Sequence, residues 1–274
     1  MRSPGTSSPW RYTIIGVVIT IILLLPLYWV LSGSFMTPRE LFGVHFSIWP
    51  HEFVFQNWSN ALQRLAPHAL TSLVVSLTTS ALTLLVTAPA AYSVIWLKPR
   101  GRRVLQSFML TSQMLPAIVF VIPLFVVFSR ANLVNTLPGL ILADMTLTVP
   151  FALVMLCAYV QEFPYELVEA ALVEGASQWR AFRSVVIPVM TPGLVTIAIF
   201  SFLMPWGDLI FSLSLITDSG LQPLILELYK AVGQYGVDWS FLLPGSVLTA
   251  IPAVVVVLYA SRFIISGFTR GALR

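Results

Sequence analysis

Six stretches of this chain are each long enough to cross a lipid bilayer and almost free of charge: residues 12–38, 65–97, 104–129, 131–161, 187–207 and 239–261. A helix needs roughly 20 apolar residues to traverse about 30 Å of hydrocarbon, and backbone amides in lipid must be paired within the segment. The stretches therefore read as six transmembrane helices, over residues 12–33, 70–97, 104–129, 138–160, 188–208 and 240–262. The expected fold class is all-α, a polytopic membrane protein whose residues 1–274 form a single transmembrane domain. Charged residues make up 9% of the chain, against about 25% in a soluble domain. That is too little polar surface to coat a water-soluble globule, which excludes a cytosolic enzyme, a disordered chain and a nucleic-acid binder. The single cysteine, Cys157, excludes an internal disulfide and a multi-cysteine metal centre.

Orientation follows from the bases in the short loops. With the N-terminus inside, eleven bases are cytoplasmic (Arg2, Arg11, Lys98, Arg100, Arg102, Arg103, Arg180, Arg183, Arg262, Arg270 and Arg274) and four external (Arg39, Arg64, Arg130 and Lys230). Both termini are thus expected in the cytoplasm, with the basic loop 98–103 as the strongest anchor. Loops 34–68 and 209–239 are external and loop 161–187 internal. The first apolar run is longer than a signal-peptide core and no Ala-x-Ala site follows it, so it reads as an uncleaved helix. Prolines recur within the apolar runs, at Pro26, Pro89, Pro116, Pro123, Pro138, Pro150, Pro192 and Pro252. Such residues kink helices, and bundle neighbours tolerate the freed carbonyls.

The internal loop is the most informative segment. Pro164 suits a first helical position, Glu162, Glu166 and Glu169 share one stripe, and Gly175 suits the left-handed position beyond a helix C-terminus. Leu167, Val168, Ala171 and Leu172 supply one apolar face, and Ser177 can cap a second turn carrying Gln178, Trp179 and Phe182. About eleven residues at 1.5 Å each span roughly 16 Å, too short to cross a bilayer. Helices that lie flat on a membrane favour Lys and Arg on the polar face. The glutamates here favour insertion into a partner protein's groove instead.

Glu169-Ala-Ala171, three residues, Gly175, nine residues and Val185-x-Ile187-Pro188 resemble the EAA loop of permease subunits in binding-protein-dependent ABC importers. The resemblance extends through Gln113-Met-Leu-Pro116, Ile122-Pro-Leu124, Thr136-Leu-Pro-Gly-Leu-Ile141, Val149-Pro-Phe151, Phe163-Pro-Tyr-Glu-Leu167, Pro192-Gly-Leu194 and the tail 262–272. These motifs are similar to those of the maltose-type sugar permease group. One departure is Trp206-Gly-Asp208, where that group usually has Trp-Asn-Asp.

The resemblance implies a type I importer permease fold in the plasma (inner) membrane of a prokaryote, moving a carbohydrate or related polyol by alternating access. It implies a second, homologous permease subunit, two copies of a cytoplasmic ATPase, and an extracytoplasmic solute-binding protein or lipoprotein. The coupling loop would present Glu166, Glu169, Ala170, Ala171, Glu174, Gly175, Ala176 and Pro188 to the ATPase. No phosphate-binding Gly-x-x-x-x-Gly-Lys motif occurs, the only lysines being Lys98 and Lys230. The chain is therefore expected to be no enzyme and to bind no cofactor, with ATP and Mg held by the partner ATPase.

Candidate solute-pathway residues each carry a structural alternative. Asp144, the only charge deep in a span, marks a pathway or makes a structural hydrogen bond. Gln113, Asn132 and Asn135 meet sugar hydroxyls or cap helix ends. Trp206 and Asp208 stack on and bind a sugar, or Trp206 is an ordinary interface residue. Gly233, Gln234, Tyr235 and Gly236 align with the stretch that reaches the binding protein in maltose-type systems. An ion-coupled secondary transporter is the rival reading, but it needs intramembrane ionisable groups beyond one aspartate. An intramembrane enzyme is disfavoured because His45, His51 and His68 all lie near the first external loop.

Overall fold

The computed structural model describes residues 9–43, 47–233 and 236–271; Arg2, His45, Gln234, Tyr235 and Arg274 lie outside them. The described residues are helical apart from short connections and one two-residue strand pair, Val232–Gly233 with Gly236–Val237. The helices are α1 (Pro9–Gly33), α2 (Pro38–Phe42), α3 (Phe55–Tyr92), α4 (Arg102–Ser112), α5 (Ala117–Arg130), α6 (Leu137–Glu162) and α7 (Glu166–Val173). There follow α8 (Gln178–Ala181), α9 (Ile187–Val189), α10 (Thr191–Trp206), α11 (Ile210–Leu215), α12 (Leu224–Tyr229) and α13 (Trp239–Gly271). Four of these are long and apolar enough to cross a membrane, and the number rises to six if each of two sharply bent helix pairs counts as one span.

Both bent pairs fall within expected spans and at prolines read from the sequence as kinking them. Over 104–129 the chain forms α4 and α5, which meet at 109°. The break at residues 113–116 ends in Pro116, which has no N–H to donate and pushes Leu115 out of the helical region. Around 188–208 the helices are bent by 78° at Met190, between Pro188 and Pro192. The pyrrolidine ring of Pro192 meets the carbonyl four residues back, which breaks the ladder at this point.

The chain divides into two compact units. The first comprises residues 1–66 and 228–250. Thr37 caps α2 in a reciprocal box with Glu40, and Pro38 occupies the first turn. The Thr37 N–H, 3.1 Å from Glu40 Oε2, holds the Glu40 carboxyl below the usual carboxylate range. Phe35 stacks on Trp58 at 5.2 Å and meets Phe53 and Phe55 edge-on at 5.6 Å each. The Arg64 guanidinium lies 4.1 Å from the ring centre of Phe241. Helix α1 leaves large apolar side chains exposed all round, among them Ile15, Leu23 and Leu27, as a lipid-facing span does.

The second unit comprises residues 67–227 and 251–274. Helix α6 is its centre, with Leu140, Ala143, Ala152, Leu156, Cys157 and Val160 all buried. Hydroxyls tie α3 to its neighbours: Thr83 Oγ1 lies 2.9 Å from Thr148 Oγ1, and Ser80 donates to the Ala198 carbonyl at 2.9 Å. Such bonds and small residues hold helices together where lipid supplies no hydrophobic drive. Gly193 lets α10 approach α6, since a Cβ there would sit 2.8 Å from the Tyr159 ring. Gly193→Val is expected to overpack this contact and cost about 1–3 kcal/mol. Thermal unfolding of the purified protein checks it, and Tyr159→Ala in the same chain should recover most of the loss.

Candidate functional site: the loop between α6 and α10

Helix α6 stops at Glu162 because Pro164 forces Phe163 into the extended region, at φ −92° and ψ 140°. The chain then turns into α7, which begins two residues later than Pro164 alone suggested. Its first amide bonds run from Leu167 to the Pro164 carbonyl at 3.3 Å and from Val168 to Tyr165 at 2.9 Å. Glu166 and Glu169 occupy its first turn, where the helix dipole favours negative charge. At the other end Gly175 N–H bonds Leu172 O and Ala176 N–H bonds Ala171 O, both at 3.0 Å. This double closure needs a left-handed residue, and Gly175 supplies it at φ +87°. Ser177 Oγ then accepts from the Arg180 N–H at 3.3 Å and caps α8, as its position in the sequence indicated.

The apolar face expected of α7 is present. Val168 is fully buried, and Ala171 and Leu172 pack against the same core. Leu167 sits at the edge of that face, part exposed and lining a shallow apolar cleft with Val168 and Met190, and Val173 is 88% exposed. Val173 shares the outer surface with Glu166, Glu169, Ala170, Glu174 and Gly175, and α8 adds exposed Trp179 and Arg180. The outer face therefore mixes acids with bare apolar groups, while the inner face is wholly apolar. Pro188 is exposed and Ala176 half-buried.

What holds the loop in place comes largely from α3. Its last turn widens into a π-helical turn, Ser93–Leu97. A chain of rings runs from Tyr165 to Trp96, Tyr92, Phe182 and Trp179, with successive centroids 5.6, 5.3, 5.2 and 5.4 Å apart. The Tyr92 hydroxyl also donates to Gln178 Oε1. Each ring pair contributes about 0.5–1.5 kcal/mol beyond its buried area. Tyr92 and Trp96 were not singled out from the sequence, because they precede the loop by some seventy residues and only the fold unites them. A second π-helical turn, Phe182–Val186, leads from α8 into α9.

Of the candidate pathway residues, Asp144 and Asp208 lie close enough for their carboxyl groups to interact, while the others are spread over separate elements. Asp208 caps α11, accepting from the N–H groups of Ile210, Phe211 and Ser212 at 3.1, 3.2 and 2.9 Å. Asn135, left-handed at φ 60°, accepts from Thr217 N–H and Asp218 N–H at 3.0 and 2.8 Å. Asn132 is also left-handed, at φ 54°, in the same connection. Trp206 is buried and stacked on Phe202 at 5.6 Å. Gly207 is not forced on the chain by sterics: a Cβ there would meet only Leu203 O, at 3.7 Å. Asp144 is buried, and its Oδ2 has no hydrogen-bond partner.

Gln113, at the α4–α5 break, lines a pocket of about 260 Å³ with Ser112, Thr146, Phe151, Phe200 and Met204. Its Nε2 donates to Met109 O at 3.2 Å, and the pocket's Phe151 and Phe200 stack at 3.7 Å. Gly233 pairs with Gly236 in the strand pair, in the first unit. His51 lies 3.5 Å from Glu40, and His68 lies 2.9 Å from Gln222 O and 3.8 Å from Glu227. Among the described residues no group of three or more His, Cys, Asp or Glu side chains is placed to hold a metal.

Residues 84–270 match the family described as binding-protein-dependent transport system inner membrane component. The diacetylchitobiose uptake system permease protein NgcG of Streptomyces coelicolor is 30% identical, over 98% of this chain and 92% of its own length. The trehalose transport system permease protein SugB of Mycobacterium tuberculosis is also 30% identical, over 98% of this chain and 99% of its own. Among solved structures, a bacterial ABC transporter involved in the import of the acidic polysaccharide alginate superposes with a TM-score of 0.78. It is 19% identical and covers 96% of this chain and 99% of its own, a likeness of fold.

Tyr92→Phe is expected to free the Gln178 side chain at a cost of about 0.5–1.5 kcal/mol. Amide hydrogen exchange over residues 178–182 should speed up about three- to tenfold while the centre of α6 stays protected.

Proposed function

The chain belongs to the family of binding-protein-dependent transport system inner membrane components, and from that membership we propose how this permease couples to its motor and what it carries. It is the membrane-embedded permease of an ABC importer, and ATP hydrolysis is supplied by a separate subunit. Its partners include an ATPase and a solute-binding protein. In the reading proposed here, a second homologous permease completes the translocation path and two ATPase copies bind ATP and Mg on the cytoplasmic side. Both termini of the chain lie on that side, as the eleven-to-four division of bases favours.

The observation that carries the coupling role is the division of α7 into two faces. Val168, Ala171 and Leu172 are committed to this chain's own core. Glu166, Glu169, Ala170, Val173, Glu174 and Gly175 are left facing out. Ala170 and Gly175 permit close approach, Val173 offers an apolar tip for a pocket, and the glutamates select a basic rim. ATP-driven closure of the ATPase pair would displace α7. Its buried face and the ring chain would carry that displacement into α3 and α6, opening the path alternately to each side.

The cargo is a carbohydrate or a related polyol. The relatives named above are permease proteins of a diacetylchitobiose uptake system and a trehalose transport system. The pocket at the α4–α5 break offers what a sugar ring needs, apolar rings beside amide and hydroxyl acceptors. Gln113 and Thr146 would accept sugar hydroxyls there. Asn135 and Asp208 would serve the pathway indirectly, by fixing the connections on which it is built.

Glu169→Lys reverses charge on the docking face, and Gly175→Asp places a side chain on a residue that the left-handed turn requires to be glycine. Each is expected to reduce ATPase co-purification at least about tenfold, Glu169→Lys because a like-charge contact costs several kcal/mol and Gly175→Asp because a side chain strains the left-handed closure that shapes the docking face. Membrane insertion should be unaffected. If both variants retain the ATPase and transport at the parental rate, the docking role is wrong.

A further inference from the structure

The cytoplasmic end of the second unit holds a second pocket, of about 290 Å³, which the transport reading does not use. It is lined by Val94, Ile95, Lys98, Arg102, Arg103, Gln106 and Gln161. Three of the seven are basic, two are amides that can donate, and none is acidic. We propose that this pocket binds a phosphate group, and that its source is the headgroup of an anionic phospholipid of the inner leaflet.

Four features support that assignment. Lys98 is held in a left-handed conformation at φ 50°, its N–H closing the π-helical turn on Ser93 O at 3.0 Å. That fixes the ammonium-bearing residue at the pocket wall, where an ordinary loop lysine would be free to wander. Arg102 and Arg103 open α4, an eleven-residue helix whose Gly101 cap has no side chain to bond the first N–H groups. The Arg102 N–H is taken by the Pro99 carbonyl at 3.3 Å, and the positive end of the helix dipole adds to the two guanidinium charges. The Val94–Ile95 wall is apolar, with half-buried Ile95 its accessible part, so the pocket pairs a cationic lip with a surface that suits the glycerol of a lipid. Finally, basic pockets between membrane helices on the cytoplasmic side are the usual receptors for phospholipid headgroups.

Arg102 and Gln106 are half-buried while Lys98, Arg103 and Gln161 are exposed, so the pocket is open to a ligand arriving along the membrane surface. It is also placed to matter. Val94 belongs to the core that holds Val160 and Val168, and Gln161 is the penultimate residue of α6, just before the turn into α7. An occupied pocket would pin the ends of α3, α4 and α6 against one another and so stiffen the base on which α7 moves.

The inner-leaflet assignment rests on the proposed orientation, so the test scores lipid retention separately from transport. The full importer is purified, placed in nanodiscs of phosphatidylcholine with or without phosphatidylglycerol, and its retained lipid is counted by native mass spectrometry. Retained phosphatidylglycerol is expected to fall about fivefold for each base removed among Lys98→Gln, Arg102→Gln and Arg103→Gln. Gln161→Trp, which fills the pocket but keeps every charge and hence the topology, should abolish retention as well. Arg100→Gln, outside the pocket, should not.

Inorganic phosphate added to phosphatidylcholine discs distinguishes the sources. Thermal stabilisation by millimolar phosphate that Gln161→Trp removes supports the phosphate site but assigns it to a soluble ligand. Retention unchanged in both the triple variant and Gln161→Trp, with no effect of phosphate, overturns the proposal. Labelling of Arg100→Cys by an impermeant thiol reagent from outside the cell would overturn the orientation alone.

Discussion

The arrangement depends on burying the inner face of one short helix. Helix α7 has eight residues, fewer than the dozen or so an isolated helix needs to hold together in water. It exists because Val168 is enclosed and because the ring chain from Tyr165 to Trp179 clamps both of its flanks to α3. Full burial of one valine stabilises by about 1.5–3 kcal/mol, and four ring contacts add to it. In the proposed coupling role, that anchorage would make the loop a lever. A helix held only by its own backbone bonds would unravel under load, whereas one keyed into the core moves the core with it.

The two bent helix pairs are the complement of that rigid attachment. Pro116 and the Pro188–Pro192 pair interrupt the hydrogen-bond ladder inside segments that are otherwise long and apolar enough to cross a membrane. Freed carbonyls in lipid are costly unless a neighbour or a water-lined cavity accepts them. The break at 113–116 lies beside the pocket that Gln113, Ser112 and Thr146 line. Irregular backbone is thus found where a polar cavity would tolerate it, and the same place offers the chain room to flex.

Much of the loop was legible in the sequence because its signals are local. Gly175 sits where a left-handed closure is needed and Ser177 where a cap is needed, and both are found in those roles. The broad apolar face read for the segment is found, with Val168, Ala171 and Leu172 on the core and Leu167 at its half-open edge, while Val173 faces out. Helical periodicity cannot rank neighbouring apolar residues when core and partner both claim some of them. Asn135 carried a helix-capping alternative, yet Thr136 caps α6 and the Asn135 side chain instead accepts from residues 217–218, while the capping of α11 by Asp208 was not read from the sequence. Tyr92 and Trp96 gave no signal, since an aromatic residue near a membrane end is common and its partner here is set by tertiary packing. The bends were foreshadowed by proline, but the angle of 109° depends on what packs against each half.

Cys157 is the only sulfhydryl in the sequence, and the structure encloses it within α6 among Ala152, Leu153 and Leu156. A thiol so enclosed is shielded from water-borne maleimides and from spin or fluorescent labels. The wild-type chain is in effect already a silent background for site-directed labelling. A reporter thiol installed at exposed Val173, on the tip of α7, would then be read without first replacing a tightly packed core residue. Any movement of α7 that the proposed coupling requires could then be followed with the core packing intact.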